Sequence, residues 1–217
     1  MNALRALEPY ARAWKTLAPE GERCQLCARA IEEDHAHLVD LERRALVCSC
    51  AGCARLLAQP GTAGGRYRLV PARVLVDPGF RLGDTQWAAL QIPVRLAFVF
   101  FNSRLSRWVV MYPSPAGAAE ADLAPEAERA LAERTRLVGE AQPDVEAVLL
   151  YGRRGHELEG FLAPIDACYR LVGRVRLHWR GFHGGDFAWR EIEAFFSELR
   201  ARARPIEPPP ATKGEDG

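Results

Sequence analysis

No sign of charge dominates this chain of 217 residues. Its formal net charge is +1, so the overall field steers it neither to nucleic acid nor to an anionic membrane surface, and a nucleic-acid partner is not expected. Long hydrophobic runs are missing too. The longest, Leu96 to Phe101, is far too short to span a bilayer. No segment near the start has the charged, apolar and small-residue layout of a signal peptide. The expectation is a cytoplasmic protein with no membrane partner. Also absent are a His-Glu-x2-His helix, a Gly-x-Ser-x-Gly elbow and carboxylates paired at a telling spacing. Gly64-Gly65-Arg66-Tyr67-Arg68 resembles a phosphate loop only superficially, for it lacks the Walker lysine, the dinucleotide glycine spacing and a preceding strand. No repeat at a solenoid period is present. The sequence therefore leans away from an enzyme and offers no catalytic residue.

What is present suits a globular protein. Apolar residues make up 48% of the chain and charged ones 26%, enough for one domain of about 130–150 residues with a core of its own plus a small appendage. Residues 1–22 read as an N-terminal arm with a short helix over 4–14. A Cys-rich module follows over 23–65 and ends in the Gly- and Pro-rich stretch 59–65. Residues 66–204 form the larger domain, and the Pro-rich tail 205–217 is expected to be disordered. Within the larger domain, 94–101 with 107–112 and 145–151 with 157–162 read as two hairpins, hence an antiparallel sheet. Helical patterns cover 84–90, 125–138, 165–172 and 188–203. Asp84, Asp166 and Asp186 suit helix N-caps. The class is α+β: a small treble-clef or zinc-ribbon-like module, then an antiparallel-sheet domain with packed helices.

Five of the six cysteines lie between Cys24 and Cys53. In a reducing compartment such a cluster points to metal binding rather than to disulfides. Cys24-x2-Cys27 and Cys50-x2-Cys53 are separated by 22 residues, the kind of paired spacing that aims four sulfurs at one tetrahedral ion. The second pair sits at the start of an expected helix over 51–59, where amide groups and the helix dipole favour thiolate over thiol. About 40 residues with few large apolar side chains bury too little surface to fold unaided, and metal binding supplies the missing stability. Zinc is the first reading. Iron, as a mononuclear site or an iron-sulfur cluster, is the alternative, since it also takes four thiolates.

His35, His37 and Cys48 are possible extra or substitute ligands. Strands over 35–40 and 45–50, joined by a tight turn at Glu42-Arg43, set His37 opposite Cys48 and His35 opposite Cys50 on one face. A closed zinc site takes four ligands, so at least one is spare; the four cysteines are the first choice and His37 the first substitute.

In the larger domain, Arg174, Arg176, His178 and Arg180 alternate with Val175, Leu177, Trp179 and Gly181. As a strand this stretch would carry a basic face, a candidate anion or partner strip. As a helix it would gather Cys168, Val172, Val175 and Trp179 on one side and scatter the arginines. Cys168 beside Asp166 hints at a nucleophile, but no histidine is tied to it, and burial is the favoured reading. Gly184-Gly185 reads as a turn before the last helix.

Taken together, Glu22 to Cys27, His37 to Leu41, Leu46 to Cys50, Pro164 to Tyr169 and Leu177 to Phe182 resemble an uncharacterised bacterial domain-of-unknown-function family. The genes of that family neighbour those of actinobacterial-type, high-affinity NiFe hydrogenases. The resemblance covers roughly residues 22–200. It implies an accessory, assembly or interaction role with a protein partner such as a hydrogenase subunit or maturation factor, and it names no catalytic residue. It also leaves both metals open, since a zinc scaffold and a rubredoxin-like iron carrier each suit that setting. Ala28 and Ala54 stand where the rubredoxin-like pattern favours glycine, which weakens the carrier reading.

Overall fold

The computed structural model describes residues 21–206 apart from 89, 115, 124, 125, 127, 128, 130, 132, 134, 153–156, 182 and 183. The helix expected over 4–14 lies outside these residues, as does part of the one expected over 125–138. The chain divides into two compact units, Met1–Leu69 and Val70–Gly217.

In the first unit β1 (Ala36–Asp40) and β2 (Ala45–Ser49) form an antiparallel hairpin, and α1 (Ala51–Leu57) follows directly. A 3-10 turn, Thr62–Gly65, leads into β3 (Tyr67–Leu69), which pairs with the free side of β1. Tyr67, Arg68 and Leu69 pair into the sheet of this unit, which runs to Leu69. Asp40 explains why the hairpin turns where it does. Its carboxylate is almost fully buried and accepts bonds from the backbone N–H groups of Glu42 and Arg43, each at 3.1 Å. The Arg66 guanidinium grips both oxygens from the approach to β3, with Nε 2.9 Å from Oδ1 and Nη2 on Oδ2. A buried carboxylate is tolerated only when paired and hydrogen-bonded in this way.

The second unit is built on a seven-stranded sheet in the order β10-β4-β9-β8-β5-β6-β7. Its centre is the two expected hairpins, β5 (Leu96–Asn102) with β6 (Arg107–Ser114) and β8 (Glu146–Tyr151) with β9 (Glu159–Pro164), joined by antiparallel β5–β8 pairing. The short strand β4 (Leu75–Val76) and the edge strands β7 (Gly117–Glu120) and β10 (Arg204–Pro205) were not expected. They are two to four residues long, too short to show a periodic pattern. β10 runs parallel to β4, and the Ile206 N–H reaches Val76 O at 2.9 Å; the rest of the tail expected over 205–217 lies outside the described residues.

All six residues of β8 are buried, the signature of a strand covered on both faces. On one face Ala97, Val99, Val148, Leu150 and Leu162 pack with Phe80, Leu82, Trp87 of α2 (Asp84–Ala88) and Leu137 of α3 (Leu137–Glu140). Gly160 allows this packing, since an added Cβ would stand 3.1 Å from the Phe80 ring. On the other face lie α4 (Ile165–His178) and α5 (Gly185–Arg202). Tyr169 of α4 meets Phe98 edge-on at 5.9 Å, and Phe196 of α5 stacks on Tyr151 at 4.0 Å.

One open alternative is closed here and two expectations are corrected. Residues 174–178 are helical, so the basic strand does not exist: Cys168, Leu171, Val172 and Val175 recur at helical spacing and are buried, and this decides the conformation. Arg174 lies 5.7 Å from the Phe195 ring and 3.5 Å from Glu198. Asp166 and Asp186 are first-turn residues, not N-caps. Pro164 and Gly184 take those positions; Gly184, at φ 81°, lies close under the Trp179 ring.

Candidate metal centre

Two local structures bring the paired cysteines together. The first pair sits on a tight knuckle, closed by the Cys24 N–H to Arg29 O and the Ala28 N–H to Cys24 O, both 2.8 Å, and by a bridge between Arg23 and Ala30. Ala28, at φ 60°, occupies the left-handed region where glycine is usual. The second pair spans the start of α1. Cys50 is its N-cap residue, and its sulfur accepts the Cys53 N–H at 3.5 Å, so a cysteine does the work of a capping serine or aspartate.

Gln25 joins the knuckle to the hairpin. Its N–H donates to Cys48 O at 2.9 Å, while its side-chain oxygen accepts the Cys48 N–H at 2.7 Å. As a result the sulfurs of Cys24, Cys27, Cys50 and Cys53 all lie within 4.8 Å of one another, and those of Cys27 and Cys50 are 3.8 Å apart. Cys24 is buried, Cys27 exposed, and Cys50 and Cys53 intermediate.

The protonation pattern is that of a crowded thiol cluster. Burial alone would raise the Cys24 thiol, but the N–H groups of Cys50, Leu26 and Cys27 outweigh it and hold it at about 6. Cys50 is lowered, chiefly by the Cys53 N–H. Cys53 carries the opposite burden: its hydrogen bond to the Cys27 sulfur, then burial, push it up to about 12. Sulfurs this close cannot all ionise without a neighbouring cation. A soft or borderline metal ion supplies that cation, and a four-sulfur donor set suits tetrahedral coordination. The cluster could therefore hold a metal ion.

The three substitutes gather as a group of their own. His37 faces Cys48 in the β1–β2 ladder, as expected, and the ligand atoms of His35, His37 and Cys48 also lie within 4.8 Å of one another. The ladder stops at Ala36 and Ser49, so the expected pairing of His35 with Cys50 falls just beyond it. Sequence reasoning named all three residues but not their separation from the four-cysteine cluster. That depends on where the knuckle docks against the hairpin, which Gln25 decides.

In the second unit Cys168 is fully buried and burial pushes its thiol up, which keeps it protonated and leaves the nucleophile reading without support. Trp179 and Gly181 line a cleft of about 530 Å³ with Pro93, Val94, Tyr112, Pro113 and Ser114. Leu177, Phe187 and Trp189 are exposed; Trp189 stands 6.3 Å from Trp179, and Phe187 4.7 Å from His178. No helix among the described residues is long and apolar enough to cross a membrane.

No curated protein and no solved structure is significantly similar to the chain. A family of unknown function, DUF5947, matches residues 23–203. That span runs from the first residue of the knuckle bridge to the cap of α5, and so takes in the cysteine cluster and nearly all of the sheet unit. The chain belongs to this family of unknown function.

Proposed function

We propose that this is a zinc-stabilised accessory protein, in which Cys24, Cys27, Cys50 and Cys53 hold a structural zinc ion and the protein acts by binding another protein. The observation that carries the metal reading is the convergence of four sulfurs within 4.8 Å from two separate knuckles. The order knuckle, hairpin, ligand-bearing helix is that of a treble clef, in which the ion replaces the core that so few residues cannot build. For the binding role, the support is the exposed Trp189, 6.3 Å from Trp179 of the cleft, with Leu177 and Phe187 also exposed, side chains of the kind that anchor partners. The resemblance drawn from the sequence motifs makes the partner a hydrogenase subunit or maturation factor.

Metal analysis with an absorption spectrum, on protein purified anaerobically from metal-replete cells, tests the first part. Zinc without a visible band, one equivalent of it lost in Cys24→Ser, is the expected result. A pull-down from native cells tests the second part: recovery of hydrogenase-related proteins, weakened by Trp189→Ala, is expected, and their consistent absence counts against the partner.

A second reading rests on the exposure of Cys27. A ligand at the surface shortens the path along which an iron centre passes electrons, and Cys27 is exposed. Stoichiometric iron with thiolate charge-transfer bands would make electron transfer the function.

A further inference from the structure

The hairpin carries a second set of ligands that the four-cysteine centre does not use. We propose that His35, His37 and Cys48 form a second transition-metal site, with three protein ligands and one position open to solvent or a small ligand. Their ligand atoms lie within 4.8 Å of one another. The geometry follows from the strand period: residues two apart share a face, so His35 and His37 project from the same side of the chain as it enters β1, and Cys48 faces His37 from β2. The two imidazole centroids are 4.6 Å apart.

His35 supplies the independent observation. Its side chain is only 7% exposed. Nδ1 lies 2.7 Å from the Glu32 carbonyl oxygen, which can only accept, so Nδ1 carries the proton. In the neutral ring the lone pair is then on Nε2, and Nε2 is buried with no hydrogen-bond partner. Backbone carbonyls fix metal-binding histidines in just this tautomer, leaving the other nitrogen for the ion. Glu22 Oε2, 3.4 Å from Nδ1, makes the ring a stronger donor.

Two imidazoles and one thiolate exclude magnesium and calcium, which want oxygen, and select zinc, cobalt, nickel or copper. Three protein ligands with an open fourth position distinguish this site from the closed four-cysteine one, and His37 and Cys48 are partly open to solvent. Gln25, bonded to both the N–H and the carbonyl of Cys48, ties the second site to the first knuckle.

The test uses the full chain with zinc in its four-cysteine centre, titrated anaerobically with cobalt(II). The expected result is a further equivalent of metal per chain, with d–d bands and a thiolate-to-cobalt charge-transfer band. Cys48→Ser and His35→Gln should each lose that equivalent and keep the zinc, whereas Cys24→Ser should lose the zinc. A single equivalent that survives Cys48→Ser and disappears in Cys24→Ser overturns the second site and leaves the first intact. A single equivalent with the opposite pattern upholds the second site and sinks the first. Should the variants fail to fold, the wild type decides: cobalt bound beside retained zinc, with one sulfur and two nitrogen donors by X-ray absorption, supports the proposal, and zinc retained with no cobalt uptake overturns it.

Discussion

Ala28 closes the first knuckle in a left-handed conformation, at φ 60°. A side chain with a Cβ is strained there by roughly 1–2 kcal/mol, and glycine is not. Ala28→Gly is therefore expected to stabilise the module by about 1 kcal/mol, less the greater backbone freedom glycine gains when unfolded; the melting temperature of the metal-loaded protein checks it. Asp40 makes a pH-dependent contribution. The Arg66 guanidinium beside it, with the Glu42 and Arg43 N–H groups, holds its carboxyl down at about 2, below its ordinary value of 3.8. A lowered carboxylate stabilises the fold above its unfolded value, and that stability drains away as pH falls through its folded value. On the order of 2 kcal/mol is at stake. Asp40→Asn should be less stable than wild type at neutral pH, and the gap should close between about pH 4 and pH 2. A gap that stays constant over that range would show that Asp40 acts by shape alone.

At the scale of elements, Arg73 and Glu146 secure the start of the second unit to its sheet. Glu146 is fully buried at the head of β8. It receives Arg73 Nε at 2.7 Å and Nη2 at 2.9 Å, and accepts the Gln142 N–H at 2.9 Å. Removing one member of a buried pair leaves the other's polar groups uncompensated. Because Arg73 is 39% exposed and can turn to water, Glu146→Ala is expected to cost about 3 kcal/mol, the low end for such pairs. Denaturant unfolding of this unit measures it. The central hairpins were legible from sequence because β5 and β8 are long and apolar and the turns between strands are polar. The β1–β2 register was legible too, because a tight turn fixes every pairing behind it. β4, β7 and β10 were not, since strands of two to four residues are specified by the neighbours that offer them free N–H and C=O groups. The end of α4 was ambiguous because alternate arginines mimic a strand; burial of Val172 and Val175 against the sheet settled it. At the candidate site the Cys-x2-Cys pairs were visible because their spacing is local. The lone pair of His35 was not, because it depends on a carbonyl that the chain's path brings to Nδ1.

For the whole molecule, the two units differ in what holds them together. The second has a core of large apolar side chains on both faces of its sheet. In the first, the fully buried large side chains reduce to Leu38 among the described residues, and the four cysteines gather in the same module. Chelation is therefore expected to unfold residues 21–69 while the second unit stays folded. Limited proteolysis with a strong chelator should cut within the module and spare a fragment beginning near Val70, and zinc should restore protection. Loss of both units together would show that they fold as one. The parallel pairing of Arg204 and Pro205 with Leu75 and Val76 has a consequence of another kind. The first and last described strands of the second unit thus lie side by side at one edge of its sheet, and Leu75 and Arg204 are neighbours. A short linker could join them and new ends could be opened at a surface turn such as 103–106, giving a circular permutant with the same strand order. The same closeness suits the unit to insertion in a loop of a host protein, with a few linker residues to bring the exit of β10 back to the entry of β4, since the two strands run the same way.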